Sequence, residues 1–162
     1  MTGQKAITPE AERQLRQARR SGARLAAVQA LYQMEQTGQS TNAVIDDFMS
    51  DRLGLGNDGE PIEEADPDLF KWIVHGVVER QEDVDRAIMK RLAEGWKLDR
   101  LDATSRAILR AGVHELLAAR ELAPAIVLDE YVGIAHAFFE GAEPKFINAL
   151  LDAVSQDVQS AA

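Results

Sequence analysis

The sequence predicts an all-α protein, a compact bundle of about seven helices in two packed helical subdomains. Helix-forming residues dominate the 162-residue chain, apolar residues recur at helical spacing, and no segment alternates as a half-buried strand does. The hydrophobic content of 46% is enough for a core, and the length fits one domain or two tightly joined subdomains. The chain has no cysteine, which excludes a disulfide scaffold and fits a reducing compartment.

Capping residues and helix breakers indicate where the helices begin and end. Thr8 followed by Pro9 predicts the start of a long first helix, and Gly38 predicts its end. Asp66 followed by Pro67 predicts the start of another helix in the same way. Gly22 costs about 1 kcal/mol relative to alanine, so the first two turns of that helix are expected to fray. Segment 51–66 contains three glycines, a proline and an acidic run, and it is predicted to be a mobile surface loop. Further helices are predicted for residues 40–49, 67–80, 81–96, 101–120, 124–141 and 143–158.

Apolar stripes predict which helix faces are buried. They are too broad for a lone coiled coil, so the helices must pack around one another. On the last three helices the predicted buried residues are Leu101, Ile108, Gly112 and Leu116, then Val127, Tyr131, Ile134 and Phe138, then Ile147, Leu150, Leu151, Val154 and Val158. No repeat of 20–50 residues is present, which argues against a solenoid.

Charge is distributed unevenly along the chain. Residues 1–31 carry six Lys or Arg and two acids, whereas the whole chain has a net charge of −9. The first segment is therefore +4 and the remainder −13. This asymmetry favours an anionic partner for the basic segment and repulsion of that partner elsewhere. On charge alone, basic residues that merely solvate an exposed helix face are an equally good interpretation.

The sequence lacks the signatures of an enzyme. The stretch "GLGNDG" has neither the dinucleotide-binding nor the phosphate-loop spacing, and it lies in the predicted loop. His75, His114 and His136 are scattered, so they are expected to be ordinary helical histidines and not metal ligands. No cofactor is predicted. The N-terminus has no apolar signal region and no stretch is apolar enough for a membrane span, so a cytoplasmic protein without a membrane partner is expected.

The basic residues of the first helix follow a pattern that suits phosphate binding. Arginines fall along one side of the helix at steps of three and four: Arg13, Arg16, Arg20 and Arg24. Guanidinium groups stay charged and can contact phosphates through two hydrogen bonds. Gln29 and Tyr32 are expected to extend this face with an amide and an aromatic ring, an arrangement that suits single-stranded RNA. Alternatively, Tyr32 packs in the core with its hydroxyl at the rim.

Four stretches, in order, resemble one known family. "RRSGARLAAVQALYQME" resembles the arginine-rich motif and following helix of the NusB family of transcription antitermination factors. "LDATSRAILRAGVHELL" is similar to the central helix of that family, and "LAPAIVLDEYVGIAHAFF" to its next helix. "EPKFINALLDAV" resembles its closing motif. The resemblance covers residues 19–154, and four ordered motifs are far more specific than any one of them.

The resemblance implies a fold and a role. The fold is a helical RNA-binding domain of two packed subdomains, placed here at residues 19–158 after an N-terminal extension at residues 1–18. The role is binding of the boxA element of ribosomal-operon RNA together with NusE, a small-subunit ribosomal protein. The pair would act on the RNA polymerase elongation complex with other Nus factors, without catalysis. Whether the chain is a monomer or a homodimer stays open.

The family motifs also imply site residues. Those implied to bind RNA are Arg19, Arg20, Arg24, Gln29, Tyr32, Lys145, Phe146 and Asn148. Those implied to contact NusE are Tyr32, Ser105, Arg106 and Glu115. Phe146 is either a platform on which a base stacks or a core anchor. Ser21 and Gly22 interrupt the arginine run that is denser in the family, which predicts weaker binding alone and a shallower salt dependence.

Two other functions fit parts of the sequence. One is a stand-alone helical protein-interaction module without specific RNA binding, in which the acidic body recruits a basic protein. The other is the related helical domain that precedes RNA methyltransferase domains, which the 162-residue length disfavours.

Overall fold

The computed structural model describes residues 6–51, 65–119 and 121–161, and within these ranges it contains helices and no strand. The α-helices are α1 (Pro9–Thr37), α2 (Thr41–Asp51), α3 (Pro67–Glu79), α4 (Gln81–Arg91), α5 (Ala103–Ala118), α6 (Pro124–Phe138) and α7 (Glu143–Ala161). A short 3-10 helix at Leu98–Arg100 precedes α5. The all-α prediction is confirmed. Most of the predicted loop at 51–66 lies outside the described residues.

The predicted caps begin and end α1 and begin α3. The Thr8 hydroxyl accepts a hydrogen bond from the Ala11 N–H at 3.1 Å, and Gly38 ends α1 with a left-handed φ of 73°. The Asp66 carboxylate accepts hydrogen bonds from the first N–H groups of α3. Helix α1 is continuous from Pro9, so the structure shows no break at residue 18.

Gly22 lies beside the segment that leads into α3. A Cβ built on it would lie 3.4 Å from the Cβ of buried Ala65, an ordinary van der Waals distance, so an alanine would also fit at this position. The next residue, Asp66, donates its N–H to the Arg19 carbonyl at 3.0 Å, which ties this segment to α1. Helix α1 is continuous through Gly22.

Helix α5 occupies the centre of the fold. It contacts α1, α3, α4, α6 and α7, and 11 of its 16 residues are buried. The single buried face predicted from Ile108, Gly112 and Leu116 is therefore too narrow, because neighbouring helices cover α5 on nearly every side. Helices α1 to α3 pack together, α4 to α7 pack together, and α1 and α3 join the two groups through α5.

Helices α4 and α6 end earlier than predicted. Helix α4 ends at Arg91, whereas the prediction extends to residue 96. Helix α6 stops at Phe138, before Gly141, and Phe138 is 44% exposed where the apolar stripe predicts burial. The stripe correctly places Val127, Tyr131 and Ile134 in the core. Phe138 is the last residue of the helix. No helix in the described ranges is long and apolar enough to cross a membrane.

Buried charged groups connect α1, α5 and α6. Arg24 donates two hydrogen bonds to Glu115, at 2.8 Å from Nε and 3.0 Å from an NH2 group, and both side chains are at most 3% exposed. The Tyr131 hydroxyl also donates to Glu115. Burial and the Glu115 charge raise the pKa of Tyr131 well above its usual value, so the phenol stays protonated. Burial lowers the pKa of Arg24, but the Glu115 hydrogen bond and charge more than compensate.

A second set of ion pairs ties the end of α1 to α4 and α5. Arg106 donates to the Glu35 carboxylate and to the carbonyl oxygens of Leu98 and Leu101. Arg110 donates to Asp85 at 2.9 Å and lies 3.2 Å from Glu35. The hydrogen bond from Arg106 lowers the pKa of Glu35. These contacts hold the C-terminal half of α1 against the central helix.

Replacing either partner of the Arg24–Glu115 pair tests its structural role. Arg24→Met is expected to lower the free energy of unfolding by about 3–5 kcal/mol, because buried Glu115 is left without a cation. Glu115→Gln is expected to cost less, because Arg24 keeps its contact with Glu130. The double variant Arg24→Met/Glu115→Met should regain most of that loss. Urea denaturation measures all three. The exposed variant Arg86→Gln is the control, with an expected change within about 0.5 kcal/mol; single changes equally small would contradict the role assigned to the pair.

His114 lies deep in the fold. It is 2% exposed, its ring lies 4.5 Å from that of Trp72, and neither ring nitrogen has a hydrogen-bond partner among the described residues. A Cβ on Gly76 would meet the ring at 2.1 Å, so the glycine provides the space for it. Burial and then the Arg80 charge lower the pKa of His114, against smaller opposite effects of Glu115 and Glu79. The histidine is therefore neutral in the folded protein.

This lowered pKa makes stability depend on pH. The unfolded histidine binds a proton below about pH 6.5 and the folded one resists it, so the contribution is complete above pH 6.5 and is lost as pH falls toward the folded pKa. The variant His114→Gln should show a smaller loss of unfolding free energy between pH 7 and pH 5 than the unmodified protein. Parallel curves for the two proteins, measured by urea denaturation at each pH, would rule this effect out.

Candidate nucleic-acid interface

A cleft of about 850 Å³ opens between the first turns of α1 and the start of α6. Its α1 wall carries the arginines that precede the core-facing part of the helix. The opposite side is lined by Ile126 and Glu130 of α6 and by Leu122 before it, and residues 65–67 at the start of α3 complete the lining. The lining residues are Arg13, Arg16, Gln17, Arg19, Arg20, Arg24, Ala65, Asp66, Pro67, Leu122, Ile126 and Glu130. The cleft thus combines cationic and apolar surfaces. These are complementary to the anionic phosphates and the bases of a nucleic-acid strand.

The outer arginines of this cleft are available to a ligand. Arg13, Arg16, Arg19 and Arg20 are exposed, and in the described parts of the chain none of them takes part in an ion pair. The cleft also contains the Glu130 carboxylate, which accepts the Ser21 hydroxyl at 2.9 Å and lies 3.3 Å from Arg24. The charge of this carboxylate is therefore balanced by groups of the protein itself, and the outer end of the cleft carries the exposed arginines.

Arg24 does not belong to this available set. The sequence predicts it as an RNA contact, but it is 2% exposed and its guanidinium is bound to Glu115 and Glu130. A phosphate would have to displace two carboxylates from a buried site to reach it. We therefore correct its assignment from an RNA contact to an internal ion pair that closes the inner end of the cleft.

Gln29 and Tyr32 lie on the surface but not on the basic face. Both are exposed, Tyr32 by 42%, so the interpretation of Tyr32 as a core residue is wrong. On the continuous helix α1, Gln29 lies on the side opposite Arg20 but only about 80° from Arg19, and Tyr32 lies about 120° from Arg20. The two residues therefore do not extend the Arg20 side of the helix, as predicted, and Gln29 lies nearer to Arg19.

The closing-motif residues lie at the first turns of α7. Lys145, Phe146 and Asn148 are exposed, whereas the intervening Ile147 is fully buried. Phe146 is 39% exposed, so Ile147 is the core anchor and the core interpretation of Phe146 is wrong. These residues are on an element that packs on α4, α5 and α6, away from the arginine-bearing turns of α1.

Phe146 lines a second groove of about 490 Å³ that the sequence does not predict. Trp96, 59% exposed, and Arg100 line it as well. Trp96 follows Gly95, whose φ of 85° forms the turn between α4 and the 3-10 helix. The glycine directly before Trp96 is the signal in the sequence that could have indicated this turn. The sequence analysis instead predicts a helix through residue 96. The groove offers two aromatic rings and a guanidinium to a ligand.

The residues implied to contact a partner protein are mostly internal. Ser105 is 2% exposed and hydrogen-bonds to Asp102 at the start of α5. Arg106 is 9% exposed and Glu115 is 1% exposed, both within the ion-pair networks of α1 and α5. Direct contacts by these three residues are therefore corrected to structural roles beneath the surface. Tyr32 is the member of the set that a partner can reach.

Known proteins resemble this chain over most of its length. The model of the NusB family matches residues 21–156. Transcription antitermination protein NusB of Hyphomonas neptunium is 58% identical over 95% of this chain and 100% of its own, and that of Caulobacter vibrioides is 49% identical over 86% and 94%. A structure of NusB from T. maritima superposes with a TM-score of 0.70 at 25% identity, covering 85% of this chain and 90% of its own.

A solved complex extends these comparisons to an assembly. The antitermination factors NusB and NusE in complex with dsRNA include a chain that matches with a TM-score of 0.72 and 25% identity, covering 86% of this chain and 98% of that one. The family model, the relatives and the structures agree with the four ordered motifs of the sequence. The chain belongs to the NusB family.

Proposed function

We propose that this protein is a transcription antitermination factor that binds boxA-type single-stranded RNA of ribosomal RNA operons together with NusE. The observation that carries the proposal is the group of exposed arginines at the start of α1, which have no ion-pair partner among the described residues, in a protein of net charge −9. Their free guanidinium groups can contact phosphates, and the acidic remainder of the chain repels RNA elsewhere. The names of the relatives and the neighbouring NusB–NusE–RNA complex support this role.

The proposed RNA contacts are the exposed members of the predicted set. They are Arg19, Arg20, Gln29, Tyr32, Lys145, Phe146 and Asn148. Arginines and Lys145 supply charge for the phosphates. Exposed Phe146, beside Trp96 and Arg100, supplies a ring on which an unpaired base can stack. The role is one of binding, with no chemical step assigned to any residue.

The acidic body and Tyr32 are proposed to meet the protein partner. The chain outside residues 1–31 carries a net charge of −13, which complements a basic ribosomal protein such as NusE. Tyr32 is a half-exposed aromatic side chain of the type that anchors interfaces. The RNA-bound pair is proposed to join the RNA polymerase elongation complex and other Nus factors in the cytoplasm.

Neutralising the two family-motif arginines tests the RNA surface. Arg19→Gln/Arg20→Gln should weaken binding of labelled boxA RNA by at least about tenfold, because two charge-assisted phosphate contacts are lost. Fluorescence anisotropy in the presence of NusE measures the affinity. Arg86→Gln, on an exposed face of α4, is the matched control and should bind normally. Equal binding by all three proteins would remove these arginines from the RNA surface.

An aromatic pair separates base stacking from general surface effects. Phe146→Ala should cost about 1–3 kcal/mol of RNA-binding free energy, the usual value of one base–aromatic stack. Phe138→Ala removes a comparably exposed ring from the end of α6 and should leave RNA affinity unchanged. Both variants are compared by anisotropy, with unfolding curves to establish that each is folded. The interpretation fails if the two variants bind RNA alike.

A further inference from the structure

The first three turns of α1 precede the residues that match the family model. The match begins at residue 21, whereas α1 begins at Pro9 with a hydrogen-bonded cap and is continuous through the junction. Arg13 and Arg16 lie in this early part, with exposed side chains and no ion pair among the described residues. A helical extension with its own arginines therefore precedes the motif to which the family resemblance assigns RNA binding.

The extension forms one wall of the cleft, and α6 forms the other. The opposite wall is formed by Ile126 of α6, which is 47% exposed, and by Leu122, which precedes α6. The two walls are held together at the inner end, where the Ser21 hydroxyl and Arg24 both bind Glu130 of α6. The cleft is thus preorganised, with arginines on one side and apolar side chains on the other, and its two carboxylates, Asp66 and Glu130, are hydrogen-bonded within the protein.

The shape and charge of the cleft select its occupant. Arg13 and Arg20 are seven residues apart, about 10 Å along the helix axis, so the wall can contact more than one phosphate of a strand. Ribose and base can meanwhile contact Ile126 across the cleft. The cleft also contains Arg19 and Arg20, so it is continuous with the proposed RNA surface and a strand that leaves that surface enters it directly.

We propose that Arg13, Arg16 and Ile126 form an additional, sequence-independent site for the single-stranded RNA that flanks boxA; this inference rests on the proposed function. Phosphate contacts carry no base information, so this site adds affinity and does not alter sequence preference. The start of α1 thereby lengthens the RNA footprint beyond the surface that the family motif implies.

Salt dependence and RNA length together test this site. Binding is measured by anisotropy, with NusE present, for a minimal boxA RNA, a boxA RNA with single-stranded flanks on both sides, and a scrambled RNA of the longer length. The proteins are the unmodified chain, Arg13→Gln/Arg16→Gln, and Arg86→Gln/Lys90→Gln. The last variant removes the same charge from exposed positions on α4 and is the control.

The site predicts a specific pattern. For the Arg13/Arg16 variant, the negative slope of log affinity against log salt should become shallower by about 1.4 on both long RNAs, since each phosphate contact on a single strand contributes about 0.7 to its magnitude. The affinity gained from the flanks should disappear, while the minimal boxA RNA binds as before. Ile126→Ser should weaken binding of the flanked RNA several-fold with an unchanged salt slope, because it removes apolar contact and no charge.

The outcomes separate this site from the proposed function. Slopes on the long RNAs equal to those of the control variant would overturn the site, even if boxA is still preferred. A lowered slope without any preference for boxA over scrambled RNA would support the site and count against the antitermination role. Absence of binding to all three RNAs would overturn both.

Discussion

Arg24 donates two hydrogen bonds to Glu115 where α1 crosses α5, and both side chains are withdrawn from water. Charges buried in this way are stable only as a pair, because removing one leaves the other without compensation. Glu115 also accepts the Tyr131 hydroxyl, and Arg24 also contacts Glu130, so the same pair fixes α6. One buried network of charged and polar groups therefore joins three helices.

The candidate interface is a consequence of that arrangement. The ion pair holds the start of α6 beside α1, and the space between them beyond the contact is the cleft. Arg24 closes its inner end, while Arg20 and Arg19, four and five positions earlier, have no carboxylate partner in the part of the chain that the structure describes. The arginines of α1 thus have two roles: the inner residue stabilises the fold, and the outer ones are available for phosphates.

Local chemistry made much of the fold predictable. Thr8 with Pro9, Gly38, and Asp66 with Pro67 act on their own turns, so their positions in the sequence indicate where α1 and α3 begin or end. The burial of Arg24 depends on Glu115, which is 91 residues away, and helical spacing carries no information about such a partner. Spacing alone therefore groups Arg24 with the exposed arginines.

The other differences also arise from tertiary contacts. The sequence predicts fraying around Gly22, but the segment at Ala65 and Asp66 packs against α1 there and hydrogen-bonds to the Arg19 carbonyl. Ser105 and Arg106 lie on α5, the helix that the family resemblance assigns to partner binding. The neighbouring helices enclose α5 and cover both side chains. The groove of Trp96 and Phe146 joins two segments distant in sequence. In these cases the residue type indicates which interactions a side chain can make. Whether that side chain is accessible depends on tertiary packing.

The most direct test of the account is the affinity of the intact protein for a labelled boxA RNA and a scrambled RNA, each measured with and without NusE by fluorescence anisotropy. The account predicts a preference for boxA that becomes stronger when NusE is added, because base contacts and the protein partner act on the same strand. Equal affinity for the two RNAs, or no binding to either with NusE present, would contradict it and leave a helical protein-interaction module.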